Sequence, residues 1–356
     1  MSDSVDASGG IGRVVAEGLR RSIRRPAGWI ALGAVAVLLV VVAFFATVVA
    51  GSSPTGGGAV FSMVTWVTLG FAAVLAPVFA GSALNGRSPA SSPATTSPDA
   101  TPDAQPGTSA LVVGSWLAAW IGSLSLVVVA LPLLLISAGF GRLSPVTVLV
   151  TLAMLAAESA VFTALAVGLS GIFRRPIASI LITYLVLAVL ILGTPIALLI
   201  AGSAASQPLV TIEIEAERDA SGEPIGCLPP VTKTSPDDTV AHYESVWWLV
   251  VTNPFVMVSD AAAGDVDGDG RPATLLGDAA QSYRSAQEPP QPEMSIEECS
   301  DGGSAAILLE EPADPGNPTW FWGLGVQVLL GAAALVGGRA ALRRRGRGRQ
   351  RGAPHA

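Results

Sequence analysis

Glu158 is the residue of this chain whose position most strongly suggests chemistry. It lies in the run LAAESAVFTA, inside residues 146–173, which contain no other charged side chain. A carboxylate in so apolar a stretch is costly unless it is shielded or protonated, and such residues often line polar paths through membranes. Two interpretations stay open. Either Glu158 lines a path, with Tyr184 as a weaker candidate, or it makes a protonated or hydrogen-bonded contact between helices.

A second group of carboxylates has part of the spacing of a calcium loop. The run DVDGDG places Asp265, Asp267 and Asp269 at positions 1, 3 and 5, with the turn glycine at position 6. Position 12, which supplies a bidentate Glu in such loops, is Leu276. The pattern therefore favours a solvated Asp-Gly turn, with a weak calcium site as the alternative.

Enzyme chemistry has few residues to work with. The chain has two histidines, His242 and His355, and one lysine, Lys233. Two histidines cannot form a His/Cys metal constellation, and a Ser-His-Asp arrangement could use only His242. A Walker A loop needs a glycine directly before its lysine, and none precedes Lys233. We predict no catalytic residue and no cofactor in this chain, so that any ATP and magnesium would be held by a partner.

The whole chain has the composition of a membrane protein. Of its 356 residues, 51% are hydrophobic and 13% are charged, against roughly 25% charged in soluble domains. Six apolar stretches are long enough to cross a hydrocarbon core of about 30 Å. They are residues 29–50, 59–84, 109–139, 146–173, 177–201 and 319–342. We expect an all-α polytopic protein of the cell membrane, with a five-span region over residues 29–203 and a sixth span after a long connection.

Basic residues predict the orientation of these spans, because Lys and Arg near span ends resist translocation. Fifteen of the 20 basic residues fall on one side when both termini share that side, which makes the termini cytoplasmic. Seven of the 15 follow residue 338, so the tail 343–356 is interpreted as an anchor on anionic lipid rather than a nucleic-acid-binding segment. The candidates for partner docking or surface anchoring are Arg20, Arg21, Arg24, Arg25, Arg87, Arg174 and Arg175.

The cytoplasmic arm, residues 1–28, carries an apolar stripe at helical spacing. The stripe consists of Ile11, Val14, Val15, Leu19 and Ile23. This spacing predicts an amphipathic helix in the membrane surface with its arginines on headgroups. A generic basic flank without such a helix is the alternative.

The connection 204–318 predicts a small acidic extracytoplasmic domain, because it holds 21 of the 27 acidic residues. It also holds both cysteines, Cys227 and Cys299. On an oxidising side of the membrane, a bond between them would close a loop of about 70 residues and stabilise the domain by roughly 4 kcal/mol. Two unpaired thiols are the alternative.

Two stretches of this connection have recognisable patterns. LVTIEIEAE alternates apolar and polar residues, which predicts a half-buried strand. In WWLVVTNPF, Trp247 and Trp248 suit the headgroup layer or a role in positioning cargo, and Asn253-Pro254 breaks any longer helix. We interpret this second stretch as an interfacial helix and turn, with a buried core segment as the alternative.

Several stretches, taken in chain order, resemble the permease subunits of type 2 ABC exporters. APVFAGSALNGR is similar to the end of their second span, LVVGSWLAAW to the start of their third, and GLSGIFRRPIASILITYLVLAVLILGTPIAL to their fifth span and the turn before it. WWLVVTNPFVMVSDAAAG is similar to a stretch before their last span. The resemblance implies six spans with both ends inside, a separate ABC ATP-binding subunit, and a second permease domain that is either an identical copy or a sister permease.

The chain departs from that family between its second and third spans. There the family has a helical connection that contacts the ATPase, whereas residues 87–108 contain five prolines, each of which removes a backbone donor. We expect this loop to be disordered. Three possibilities stay open: the loop orders on its ATPase, the arm and the FRRP turn dock instead, or the subunit is uncoupled and serves beside an intact sister permease.

With the resemblance, the sequence predicts the permease subunit of an ATP-driven exporter, in which Glu158 lines the substrate path. Two other functions stay open. One is a non-transporting sensor or scaffold whose extracytoplasmic domain binds a ligand. The other is a proton-coupled carrier that uses Glu158.

Overall fold

The structure is a computed structural model that describes most of the chain. The described residues are 2–23, 26–51, 56–84, 107–214, 216–218, 224–227, 229, 231–268, 270–289, 293–297, 306–307 and 316–351. Most of the predicted loop 87–108 lies outside them. So do Arg24, Arg25, Arg87, Asp269 and Cys299.

Helices form the first half of the chain. They are α1 (Ser2–Ile23), α2 (Pro26–Ala50), α3 (Gly56–Leu84), α4 (Thr108–Phe140), α5 (Pro145–Ile172), α6 (Pro176–Ala188) and α7 (Thr194–Ala204). A π-helical turn, Val189–Gly193, joins α6 to α7 into one continuous rod. Proline begins α5 and α6, where its missing N–H removes no helical hydrogen bond.

The long connection that follows contains all the described strands. It contains β1 (Gln207–Ile214), β2 (Ala216–Arg218), β3 (Pro224–Cys227), β4 (Val231–Val240), α8 (Pro254–Ala262), α9 (Leu275–Ser285), β5 (Glu293–Glu297) and β6 (Ala306–Ile307), and α10 (Trp320–Arg351) comes next. The strands form a sheet of order β4-β1-β5-β6 and a separate β2-β3 pair. In the sheet, β1 pairs antiparallel with β4 and parallel with β5. The alternating run that predicts a strand is therefore confirmed as β1.

Six helices are long and apolar enough to cross a membrane, and each overlaps one predicted span. We number them spans 1 to 6: Gly28–Ala50, Gly56–Ala80, Thr108–Phe140, Pro145–Ile172, Pro176–Ala204 and Trp320–Arg345. The prediction of a multi-pass helical membrane protein is confirmed at this level. The membrane part is all-helical, and the strands are confined to the connection between spans 5 and 6.

The core of the bundle lies among spans 2, 3 and 4. Phe61, Leu126 and Phe162, one from each of these spans, are fully buried there. Spans 1 and 5 instead expose apolar side chains along much of their length, including Phe44, Phe45, Val48, Leu181, Leu185 and Leu199. A helix that is apolar all round and exposed suits a lipid surrounding.

Part of the long connection belongs to the bundle itself. Met257 and Val258 of α8 and Leu276 of α9 are buried in the same hydrophobic cluster as spans 1 to 5. The interpretation of this stretch as an interfacial helix and turn therefore fits only its beginning, where Trp248 is exposed. From Pro254 onward the segment is buried, because α8 packs between α5 and α10.

Candidate functional site

The candidate site centres on Glu158, midway along span 4, and Gln327 of span 6. Both side chains are fully buried. The Gln327 amide donates through Nε2 to the carbonyl of Thr252 at 2.8 Å and lies beside the Glu158 carboxyl. The geometry nevertheless falls short of a hydrogen bond: neither carboxyl oxygen of Glu158, nor Oε1 of Gln327, has a partner among the described residues.

The site brings together three buried acceptor oxygens, the two of the Glu158 carboxyl and Oε1 of Gln327, that have no donor among the described residues. Buried polar atoms are otherwise nearly always paired. A proton on Glu158 would let the carboxyl donate to Gln327 Oε1, and a hydrogen-bond donor on a passing molecule would serve the same oxygens. The arrangement is therefore suited to hold a proton or a donor group at mid-membrane depth.

Small residues bring spans 4 and 6 together below this pair. Ala164, Gly168 and Gly171 of α5 face Gly331, Ala334 and Gly338 of α10. A methyl group added at Gly331 would lie 3.2 Å from the Ala164 Cβ, and one added at Gly171 would lie 2.8 Å from the Gly338 Cα. Such small residues let helix backbones approach closely in membranes, so the position of Gln327 relative to Glu158 is fixed by this packing.

Two tryptophans of span 3 hold the other side of span 4. Trp120 donates through Nε1 to the carbonyl of Ala156 at 2.9 Å, and Trp116 donates to that of Ala160 at 2.9 Å. Their rings stack with centroids 6.0 Å apart. These acceptors lie two residues before and two residues after Glu158, so the carboxyl sits on a helix that is restrained from both sides.

Asn253 links the connection to span 5, at the position where the sequence predicts a helix break. Its Oδ1 accepts from the backbone N–H groups of Phe255 at 2.9 Å and Val256 at 3.3 Å, which caps α8. Its Nδ2 donates to the carbonyl of Ile191 at 2.9 Å and to Thr194 Oγ1 at 3.0 Å. Because Pro195 has no N–H, it cannot serve the Ile191 carbonyl four residues earlier. Asn253 supplies that missing donor.

Asp260 joins α8 and α9 to the start of span 6. Its carboxylate accepts from Arg284 Nε at 2.7 Å and from the backbone N–H groups of Thr319 at 2.6 Å and Trp320 at 2.9 Å. Tyr283 adds a hydrogen bond of 2.8 Å to Thr319 Oγ1. Burial raises the pKa of Tyr283 to about 12; the charge of Asp260 raises it too, while the Thr319 hydrogen bond lowers it. The start of span 6 is thereby fixed to α8 and α9.

The other predicted site residues have structural partners of their own. The Tyr184 hydroxyl donates to the carbonyl of Val74 at 2.8 Å, so it ties span 5 to span 2. Trp247 packs edge-on against Tyr283, with ring centroids 6.4 Å apart, and Trp248 is exposed. Cys227 ends β3, but the predicted pairing with Cys299 stays a prediction because Cys299 lies outside the described residues.

The acidic loop fits a turn better than a calcium site. Asp265 Oδ2 accepts from the backbone N–H of Ser144 at 2.8 Å, and Asp267 Oδ1 accepts from that of Arg271 at 2.9 Å. Gly270 has φ of 77°, the left-handed conformation expected of a turn glycine. Leu276, at the position of the bidentate ligand, is fully buried in the core. Within the described part of the chain, no cluster of three or more His, Cys, Asp or Glu side chains could hold a metal.

The arginine-rich ends of the helices gather at the opposite end of the bundle from Asp260. Arg343 Nε donates to Thr108 Oγ1 at 3.2 Å, and an Arg345 guanidinium nitrogen donates to the Ile172 carbonyl at 2.7 Å. Arg174 and Arg175, in the turn between spans 4 and 5, are exposed.

The sequence reasoning missed Gln327 and the Asp260–Arg284 ion pair. A lone amide inside an apolar span was the available signal for Gln327.

Comparison of the chain with family models, curated proteins and solved structures gives no match.

Proposed function

We propose that this protein is the membrane-spanning permease subunit of an ATP-driven exporter, working with a separate ABC ATP-binding subunit and a second permease domain. The resemblance of the ordered sequence stretches to type 2 ABC exporters suggests the class. The observation that carries the proposal is the packing of α1 on the start of α4 at the arginine-rich end of the bundle.

α1 packs on α4 through a seam of small side chains. A methyl group added at Gly114 would lie 2.7 Å from the Val14 side chain, and one added at Gly18 would lie 2.8 Å from Ala118. Val14 belongs to the predicted apolar stripe and is buried. The stripe therefore meets protein at this point rather than lipid alone, while Arg13 and Arg20 are exposed on the same helix.

The paired α1 and α4 extend past the start of span 1. Helix α4 has 33 residues, about 50 Å, which is longer than the roughly 30 Å of hydrocarbon requires. Gly28 and Leu32 near the start of span 1 line the same small cavity as Gly122 and Ser125 of α4. The first dozen residues of α4 lie beyond that level, where they pack on α1 and on the rest of the bundle: Trp116 donates to the Ala160 carbonyl of span 4, and Thr108 accepts from Arg343 of α10. With the termini in the cytoplasm, α1 and the part of α4 that it covers would form a rigid surface for an ATPase to push.

In this mechanism the α1–α4 pair does the work that the family assigns to the connection between spans 2 and 3. Closure of the ATPase pair would move α1 and the start of α4 as one lever. Span 3 would pass that motion to span 4 through the Trp116 and Trp120 hydrogen bonds on either side of Glu158. The Glu158–Gln327 pair would then open toward, or close from, the passing cargo.

A docking experiment tests this proposal. The tagged full chain is purified in mild detergent from its native cell, and the ATP-binding subunit that comes with it is quantified. Gly114→Val should displace α1 and strongly reduce the amount of ATPase recovered. Gly12→Ala should not, because a methyl group added there meets no described atom within 4 Å. Deletion of residues 87–108 separates the alternatives: loss of the ATPase would place docking in that loop, and retention would favour the α1–α4 pair. An ATPase that stays bound in both the Gly114→Val and the loop-deleted chain contradicts docking at either place.

A proton-coupled carrier is the second candidate, favoured by the Glu158 carboxyl oxygens, which have no hydrogen-bond partner in the part of the chain that the structure describes. In that mechanism the proton on Glu158 would exchange during each transport cycle. Transport that still depends on a proton gradient after Glu158→Gln would exclude it. Ligand binding without any ATPase partner would instead favour the sensor or scaffold function.

A further inference from the structure

An apolar groove lies among spans 1, 2 and 3, remote from Glu158. Its volume is about 840 Å³, within the range of ligand sites. The apolar walls are Val40, Phe44, Val60, Leu133, Ile136 and Phe140. Its polar groups, among them Thr47 and Arg142, lie toward one end.

The groove has the depth of one membrane leaflet. Along span 1 its lining runs from Val40 to Ala50, eleven residues separated by ten helical rises, or about 15 Å of helix. Half of a hydrocarbon core of about 30 Å is also about 15 Å. Phe44 is 63% exposed, so the wall it forms borders the lipid side of the bundle. A chain lying in this groove would therefore start at one membrane surface and end near the midplane.

Arg142 stands at the surface end of this groove in a strained backbone conformation. Its φ is 51°, and it is the one non-glycine residue with positive φ in the described part of the chain. It occupies the position after the α4 C-cap that glycine normally takes: its N–H donates to the Gly139 carbonyl at 3.3 Å, and the Leu143 N–H to that of Ala138 at 3.0 Å. Arginine lowers the stability of the fold at this backbone conformation, whereas glycine would not. Conformational outliers of this kind point to function.

The charge of Arg142 is available to a ligand. Its side chain is exposed, and among the described residues it has neither a hydrogen-bond nor an ion-pair partner. The neighbouring carboxylate, Asp265, is engaged with the Ser144 N–H at 2.8 Å. A free guanidinium above an apolar groove one leaflet deep is complementary to a molecule with an anionic head and a hydrocarbon tail.

We propose that this groove binds one acyl chain of an anionic membrane lipid, whose phosphate contacts Arg142. This inference goes beyond the proposed transport function and does not depend on it, because it concerns a lipid held on the outside of spans 1, 2 and 3. The bound chain would fill the gap between span 1 and the rest of the bundle.

Photo-crosslinking tests the proposal on the full chain in nanodiscs. Phosphatidylglycerol and phosphatidylcholine with the same diazirine-bearing acyl chain are compared. The wild type should be labelled several-fold more strongly by phosphatidylglycerol, with the labels at residues 40–50 and 133–140. Equal labelling by the two lipids, or labels located elsewhere, would overturn the proposal without any variant.

Variants sharpen the assignment. Arg142→Gly, which relieves the backbone conformation, should reduce phosphatidylglycerol labelling to the phosphatidylcholine level, while Arg142→Lys should keep the preference. Thr47→Trp should block labelling by both lipids. Val48→Trp, at the next residue of span 1 and outside the groove lining, is the matched control and should change neither. Competition by free inorganic phosphate, or a crosslink from the groove to a second copy of this chain, would contradict the lipid assignment.

Discussion

Replacement of Asn253 offers a quantitative test of how span 5 is joined to the connection. The buried side chain performs two separable tasks: Oδ1 caps α8, and Nδ2 serves the Ile191 carbonyl that Pro195 leaves without a donor. Loss of an N-cap costs about 1 kcal/mol. Leaving a buried carbonyl unpaired costs about 1–3 kcal/mol more. Asn253→Ala should therefore lower the free energy of unfolding by about 2–4 kcal/mol.

Asn253→Ser separates the two contributions. Serine caps helices as well as asparagine but is too short to reach Ile191, so this variant should lose about 1–3 kcal/mol, the donor contribution alone. Denaturant titration of the protein in detergent would measure the change in the free energy of unfolding for both variants. Thr274→Ala removes the cap of α9, where Thr274 Oγ1 accepts from Gly277, and should cost about 1 kcal/mol as a matched cap control.

A double-mutant cycle with Pro195→Ala then isolates the cause. Alanine at position 195 supplies a backbone N–H that, in α-helical register, donates to the Ile191 carbonyl four residues earlier and makes the Asn253 donor redundant. In that background the cost of Asn253→Ser should fall below about 1 kcal/mol, whereas the cost of Thr274→Ala should not change. Additive costs for Asn253→Ser and Pro195→Ala would refute the assignment of Asn253 as the substitute donor.

Three further predictions concern the packing around span 6. Asp260→Ala should lower the free energy of unfolding by about 3–5 kcal/mol, because it leaves Arg284 and two backbone N–H groups without their acceptor. Asp278→Ala, at an exposed position, is the control and should have little effect in the same denaturant titration. Gly168→Val should separate spans 4 and 6, seen as a large drop in the thermal unfolding midpoint that Gly325→Val, in open space, does not reproduce. The folded protein keeps the Tyr283 proton between pH 10 and about 12, where the unfolded chain releases it, so stability should fall as pH rises through this window. Tyr283→Phe should flatten that fall, and an unchanged slope would contradict the shifted pKa.

The six spans and the strand β1 could be predicted because their signals are local. Length and apolar composition locate a span, and the alternation of Val210, Ile212 and Ile214 with polar residues identifies a strand. Asn253-Pro254 is local as well: asparagine is a favoured cap and proline a favoured first helical residue, and both are found in those positions.

The candidate site depends instead on contacts between distant parts of the chain. Gln327 meets Glu158 only because small residues on α5 and α10 coincide, and no spacing within either helix shows which helix is the partner. The burial of α8 has the same origin. Its apolar run favoured a headgroup layer, with a protein core as the alternative. The contacts that bury it include those of Asp260, whose partners lie 24 and 59 residues away in the chain and have no local signal.

ATP hydrolysis by the complex purified from native membranes tests the central claim most directly. We predict that the tagged chain brings with it a stoichiometric ATP-binding subunit, and that the purified complex hydrolyses ATP. Gly114→Val should reduce that activity together with the recovered subunit, and Gly12→Ala should leave both unchanged. A pure chain without any ATP-binding subunit, competent to bind a ligand or to move cargo on a proton gradient, would contradict the exporter function.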